Sequence, residues 1–445
     1  MPARSFLLIL AFLVSMPALS QVEPDATGGA PAAADDTQMM TPPPVSDMPY
    51  ASTAGSEARS NYLSANLTVA PSYIDNVLPN TTATPVGDFI YSIFPSLIFD
   101  RSTPRQKEQF TYSPTFTFYE PTSSLNAIDQ SASLALQLRL TPEVAVSLQD
   151  SFSRTSNVYN EASLFSTPVT GSTQTPTPAV IAPFVEQMAN TTDGVLSYQF
   201  ARNAMIGGGG SYTIFDLPNA AEAPDLYNSN TAGGEVFYSR RFSRMQYLGL
   251  AYQYTRTVVS PVSAQSETQT HALLPFYTLY FNRAFSMSIS VGIQHVDVTE
   301  SQLPTINSWA PSAAASMGWQ GNRGNIAVSY SRTITSGGGL IGAFNSNSVR
   351  GSGIWEFART WTGALSGSYQ SISNVAPLLA SSYQGGNAVL GHCSLTHSIG
   401  EHFTVALGYE RLHESYSGIA VIAADPDSDR EFATVTYQFR KPLGR

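Results

Sequence analysis

The sequence predicts an all-β chain that closes into one transmembrane antiparallel β-barrel of about eighteen strands, with short turns at one end and longer loops at the other. Three observations predict it. Charged residues make up 12% of the chain, against about 25% in ordinary soluble domains. Hydrophobic content, at 42%, is not raised in exchange; Ser, Thr, Asn, Gln and Gly fill the gap. Segment after segment alternates apolar with small polar residues, and a period of two sends the two sets to opposite faces of a sheet. A barrel wall explains this average, because each strand gives one residue to lipid and the next to the lumen.

The first twenty residues read as an export signal. Arg4 is the one charge ahead of an apolar run from Phe6 to Val14, and the segment ends Ala18-Leu19-Ser20 before Gln21. A short apolar core followed by small residues at −3 and −1 describes a cleaved secretory signal peptide. The run is shorter than the roughly 20 apolar residues a spanning helix needs. No cysteine follows the cleavage point, which removes the usual lipoprotein anchor. Residues 21–60 are rich in Pro, Ala, Asp and Thr, with Pro42-Pro43-Pro44 in the middle. That composition cannot bury enough surface to offset chain entropy, so the stretch is expected to be a disordered periplasmic arm.

Several classes are excluded. No mature segment approaches 18 uninterrupted apolar residues, so a helical membrane protein is ruled out. Cys393 is the single cysteine, which precludes an intramolecular disulfide in an oxidising compartment. A closed barrel needs none, since its ladder hydrogen bonds leave no edge. A net charge of −10 and a pI near 5.1 argue against nucleic acid as a partner.

From Asn61 onward, tight polar connections alternate with longer ones. The tight ones lie at Thr141-Pro142, Arg202-Asn203, Ser243-Arg244, Asn282-Arg283, Gly321 to Gly324, Arg359-Thr360 and Ile399-Gly400-Glu401. The longest of the other kind runs from Asn157 to Asn190. In the segment from Phe285 to Gln294, Phe285, Met287, Ile289, Val291 and Ile293 share one face, and Ser286, Ser288, Ser290, Gly292 and Gln294 the other. Leu134 to Leu140 and Phe403 to Tyr409 alternate in the same way. The polar faces are small and uncharged, whereas the solvated face of a soluble sandwich carries Lys, Glu and Arg. The strands fall near 62–73, 88–100, 108–119, 129–140, 143–157, 191–201, 204–215, 232–242, 246–259, 267–281, 285–298, 308–319, 325–335, 345–358, 361–372, 386–399, 402–415 and 430–439. The second, with Pro95 in it, is the weakest, and sixteen is the alternative even count. The barrel domain is thus 61–440, with a tail at 441–445.

Over about Asn61 to Phe439 the chain resembles the bacterial outer-membrane β-barrels of the porin kind. The resemblance is one of architecture. The last strand, Glu431-Phe432-Ala433-Thr434-Val435-Thr436-Tyr437-Gln438-Phe439, looks like the closing strand that the barrel-assembly machinery recognises, although the chain continues through Arg440 to Arg445. The long connection at 158–190 matches by position the loop that folds into the lumen of general porins. The resemblance implies a bacterial outer-membrane location with lipid, the assembly machinery and small hydrophilic solutes as partners. It leaves the oligomeric state open.

Four sets of residues carry candidate chemistry. Phe152-Ser153-Arg154-Thr155, Tyr254-Thr255-Arg256-Thr257 and Tyr330-Ser331-Arg332-Thr333 repeat one pattern, and Tyr409-Glu410-Arg411-Leu412 is a looser copy. The aromatic and the arginine lie two apart, hence on one face. Arg154, Arg256, Arg332 and Arg411 are therefore candidates for gripping lipid phosphates just above an aromatic girdle. Their alternative role is to pair with loop carboxylates. The longer connections are acidic, with Glu161, Glu186, Asp216, Glu222, Asp225, Glu267, Asp297, Glu300, Glu414, Asp425, Asp427 and Asp429, while the two lysines, Lys107 and Lys441, fall at the other end. Glu222, Asp225 and Asp297 are expected at the pore mouth, and Arg139 and His392 in the lumen. An acidic mouth concentrates cations; the alternative is that these charges only keep the exposed end soluble. Asp425-Pro426-Asp427-Ser428-Asp429 spaces carboxylates as calcium loops do but lacks the Gly and Glu of such a loop. His392-Cys393-Ser394 puts a His and a Ser on one strand face, the seed of a hydrolytic site, but with no evident third group. Gly207 to Gly210 lies inside a strand and reads as close strand packing.

No cofactor or catalytic residue is expected. A barrel of this strand number leaves an aqueous channel, so passive diffusion of small hydrophilic solutes, with weak cation preference, is the leading expectation. A structural or adhesive barrel with a loop-filled lumen is the alternative, and a lipid-modifying barrel enzyme the third.

Overall fold

The computed structural model describes residues 61–77, 85–103, 105–156, 159, 185–219, 226–260, 266–282, 284–300, 305–335, 340–375, 385–417 and 427–443. The signal segment and arm expected at 1–60 lie outside them. Eighteen strands follow one another: β1 Tyr62–Ile74, β2 Asp88–Ser102, β3 Gln106–Tyr119, β4 Ala127–Arg139, β5 Val144–Thr155, β6 Gln187–Ala201, β7 Ala204–Asp216, β8 Ser229–Ser243, β9 Gln246–Val259, β10 Ser266–Tyr280, β11 Phe285–Glu300, β12 Ile306–Gly321, β13 Gly324–Thr335, β14 Phe344–Ala358, β15 Trp361–Asn374, β16 Gly385–Ile399, β17 Phe403–Ser417 and β18 Asp427–Pro442. Each pairs antiparallel with its sequence neighbours, and β1 pairs with β18 as well as β2, so the sheet closes on itself. A 3-10 turn lies at Ser123–Leu125.

The sequence-read strands match these closely; the largest difference, four residues, is at the start of β6, 187 against 191. Pro95 does not break β2. It lies opposite Leu67 of β1, while the β2–β3 register passes from Ile93↔Phe116 to Leu97↔Tyr112, so its missing donor falls where the β3 ladder is interrupted. The count is eighteen, not sixteen. The tight connections are held by their own side chains. Asn282 Oδ1 accepts from the Ala284 and Phe285 N–H groups at 2.7 and 2.8 Å, and Thr141 Oγ1 from Glu143 and Val144 N–H. Gly400, with φ of 68°, takes the left-handed position that the turn after β16 needs. Both ends of the barrel chain lie at this short-turn end, where Leu443 N–H donates to the Asn61 carbonyl at 2.8 Å.

The outward face carries the large exposed apolar side chains, such as Leu248, Leu250, Ile289, Val291, Val328 and Leu407. Aromatics bound this belt. Near the short turns Trp319 stacks on Trp355 at 6.0 Å, Phe403 lies 5.1 Å from Tyr437, and Phe281 lies 4.9 Å from Phe285. Toward the long loops the outward residues become Phe152, Trp309, Tyr330 and Tyr409, then polar. An apolar band between two aromatic girdles is the outer surface of a membrane barrel.

The inward face is built of small residues. Ser286, Ser288 and Ser290 of β11 face Gly318, Ser316 and Ala314 of β12, and Tyr280, Thr278 and Phe276 of β10, across the ladders. Aromatic rings lie flat against this wall where glycine leaves room. A Cβ at Gly249 would come within 2.1 Å of the Phe276 ring and 2.4 Å of the Tyr238 carbonyl oxygen, and one at Gly207 within 2.2 Å of Phe237. Outward-facing Gly391, by contrast, has nothing within 4 Å of where its Cβ would sit. Gly249→Ala should therefore destabilise the barrel by about 1–3 kcal/mol through overpacking, whereas Gly391→Ala should change little. Gel mobility of the unheated protein, followed as sample temperature is raised, compares the two.

Candidate functional site

Through the apolar band, the lumen wall is lined mainly by Ser, Thr, Gly, Ala, Asn and Gln, punctuated by a few charges. Asp193 of β6 and Glu235 of β8 point inward on either side of β7, opposite Ser211 and Gly209. Arg350 of β14 faces inward between Ser329 and Ser368. Nearer the short turns, Phe237, Tyr247, Leu274 and Phe276 form an apolar patch on β8–β10 with Met205 of β7.

The other end of the lumen differs in kind. Inward residues at the strand tops, including Ile74, Ile90, Tyr119, Phe344, Ile372, Leu390, Leu412 and Tyr416, join Val77, Tyr159, Val185, Leu217, Leu226 and Leu340 of the long connections in one buried cluster. Phe215 of β7 packs against it. β7 and β16 lie nine strands apart in either direction round the ring, so the cluster reaches across the mouth. Phe344, Leu340, Val77 and Ile74 are 0% exposed. The mouth therefore holds an ordinary hydrophobic core, assembled by loops that fold inward.

One polar device anchors that core to the wall. Glu410 of β17 accepts from Arg430 Nη1 of β18 at 3.3 Å and lies 3.0 Å from His392 Nδ1 of β16. Arg430 Nη1 also donates to the Tyr159 carbonyl at 3.1 Å, and Tyr159 Oη donates to the Ser428 carbonyl at 2.7 Å. The guanidinium lies over the rings of Tyr159 and Phe432, and His392 stacks on Phe432. Tyr159 belongs to the connection that leaves β5, so it crosses to a strand five positions round the ring. The long connection expected to fold inward does so at Tyr159; residues 160–184 lie outside the described ones.

His392 faces the lumen, as the alternation requires. Its other ring nitrogen lies 3.3 Å from Ser394 Oγ, and Glu410 supplies the orienting third group that the sequence did not reveal. Among the described residues the relay has no oxyanion site: His392 and Ser394 sit mid-strand, in ladder on both sides, and Arg430 is committed to Glu410 and Tyr159. An accessible pair of donors aimed at a developing charge is what acyl transfer needs. Arg139 faces inward at the short-turn end of β4.

The remaining candidates fall elsewhere. Glu222 and Asp225 lie outside the described residues. Asp297 is not at the mouth: it shares the outward face of β11 with Ile293 and His295, 3.4 Å from the His295 ring. Arg154, Arg256, Arg332 and Arg411 all face outward, two residues beyond their aromatic. Three of them meet carboxylates. Arg154 Nε donates to Glu186 at 2.6 Å, and Arg256 binds Glu267 through two 2.8 Å hydrogen bonds that hold the Glu267 carboxyl down to about 2. Arg411 lies 3.6 and 3.8 Å from Asp427 and Asp429. Arg332 makes no ion pair among the described residues. With Arg411 and His413 between them, Asp427 and Asp429 are engaged away from any calcium loop, and the described residues hold no cluster with metal-ligand geometry.

No family model and no curated protein matches the chain. Solved structures similar to it include the outer membrane protein OpdK of Pseudomonas aeruginosa, at 12% identity over 85% of this chain and 99% of that one, TM-score 0.39. OccK2 (OpdF) of the same organism, in complex with glucuronate, is 11% identical over 85% and 98%, TM-score 0.41. The FrpB iron transporter of Neisseria meningitidis is 9% identical over 84% and 82%, TM-score 0.41. Likeness at this level says nothing about cargo.

The buried pair gives a stability test. Arg430→Ala should cost about 3–5 kcal/mol, because it strands the Glu410 carboxylate in a site with little water. Arg430→Met combined with Glu410→Leu should recover most of the loss. Heat-modifiable mobility measured on both variants checks the ordering; equal losses would mean that the pair carries no desolvated charge.

Proposed function

We propose that the chain is an exported outer-membrane pore for passive diffusion of small hydrophilic solutes, weakly cation-preferring, with its outer mouth narrowed by infolded loops. The observation that carries this reading is the closed eighteen-stranded wall whose inner face through the apolar band is small and polar. Walls of this strand number enclose water, and transit then needs no reaction. Selectivity comes from fixed charges facing the path. Asp193 and Glu235, not the outward Asp297, are the acidic groups facing the lumen inside the band, and they replace the loop carboxylates as the source of cation preference. The outward arginines, half-exposed where paired, share their remaining N–H groups with lipid phosphates. The closing strand β18 is the element offered to the assembly machinery.

The apolar core at the mouth favours a second reading, a structural barrel without through-passage. Conductance of the purified protein in a planar bilayer separates the two: an ohmic current supports the pore, and a correctly folded barrel without current supports the structural reading. In asymmetric salt, the reversal potential should show modest cation preference that fades at high salt, where screening shortens to about 3 Å at 1 M. Asp193→Asn with Glu235→Gln should reduce the preference; Asp297→Asn should leave it unchanged. Equal effects of the two changes would reject a lumenal origin.

A further inference from the structure

The mouth core contains one group at odds with it. Glu414 lies on the inward face of β17, opposite Ala388 of β16 and flanked by Leu412 and Tyr416. It is 0% exposed, and among the described residues neither carboxyl oxygen has a hydrogen-bond partner. It sits beyond the membrane: past Tyr409 the outward face of β17 runs Arg411, His413, Ser415, Ser417, which is polar. Among the described residues, the charged and titratable groups on the inward faces of the neighbouring strands β14 to β18 at this end of the lumen are these. Glu410 and Tyr416 share its strand face, and His392 of β16 is held by Glu410. Arg430 of β18 is held by Glu410 and Tyr159. The strand tops of β14 and β15 present Phe344, Ser346, Gln370 and Ile372 inward, none of them charged.

An ionised carboxylate without a counter-charge or hydrogen bond is costly in such a site, so the group stays neutral by keeping its proton. Burial pushes the Glu414 carboxyl well above the usual carboxylate range. If the mouth opens, the carboxyl meets water and returns to an ordinary value, about 4.3. The closed state thus binds the proton more tightly than the open one. Closure is fully favoured below the ordinary carboxylate range. As pH rises above it, closure loses up to about tenfold in the closed-to-open ratio per unit, until the raised value of the closed state is reached.

We propose that Glu414 is a proton-binding site that gates the outer mouth: protonated it lets the apolar core seal, and ionised it forces the core apart. The proposal rests on the pore reading. Arg430 keeps Tyr159 pinned to the wall in both states. A loss of protons opens the path, so the channel conducts least in acid.

The test measures planar-bilayer currents of the full chain at about pH 5 and about pH 8, after confirming folded gel mobility for each variant. Wild type should pass several-fold more current at the higher pH. Glu414→Gln, neutral at both, should stay low and lose the response. Leu340→Ser with Phe344→Ser, which breaks the core directly, should conduct at both. If Glu414→Gln keeps the pH response, or wild type shows none while the core-breaking variant conducts, the switch is overturned and the pore stands. If neither wild type nor the core-breaking variant conducts at either pH, the pore reading fails and takes the switch with it.

Discussion

Everything in this molecule depends on the need of a backbone in lipid to satisfy its own hydrogen bonds. The pairing of β1 with β18, in one register from Tyr62↔Pro442 to Ile74↔Arg430 with a gap at Ala70 and Pro71, removes the two edges that an open sheet would leave unpaired in hydrocarbon. Closure then dictates the rest. Each strand has one face toward lipid and one toward the interior, and the even count returns both ends of the barrel chain to the short turns. The wall needs no disulfide, and Cys393 sits exposed and free on the outward face.

That constraint is why so much of the fold was legible in the sequence. A strand that must show alternate residues to two solvents writes a period of two, and a turn that must reverse the chain in a few residues selects Asn, Thr or Gly. Face assignments extend by parity alone. The set Phe285 to Ile293 already places Asp297 on the lipid side, and the set Phe403 to Tyr409 already places Glu410 and Glu414 inward. The misplacement of Asp297 came from treating an acidic residue near a loop as loop rim, when β11 continues to Glu300.

The site was less legible because its contacts are not local. His392 and Ser394 are visible as neighbours on one face, but Glu410 joins them only through the β16–β17 register, and Arg430 only through β17–β18. Tyr159 meets Arg430 on a strand five positions round the ring. No periodicity records which loop residue will fold inward, since loops obey no alternation. The arginine repeat shows the same limit: its outward orientation follows from parity, but the carboxylates that meet Arg154 and Arg256 come from the neighbouring strand ends.

The interior therefore solves two different problems along one axis. Within the membrane band the lumen can hold small polar side chains, because water inside and lipid outside already divide the two faces of the wall. Above the band the wall has water on both sides, and nothing but packing keeps the protruding strand tops and loops together. An apolar core there is the ordinary solution for a soluble structure, and Ile74, Phe344, Leu390 and Leu412 occupy the same inward positions that carry Ser and Thr lower down. On the pore reading, a core placed across the mouth controls passage, so the residue that fits it least, Glu414, is where control would be exerted.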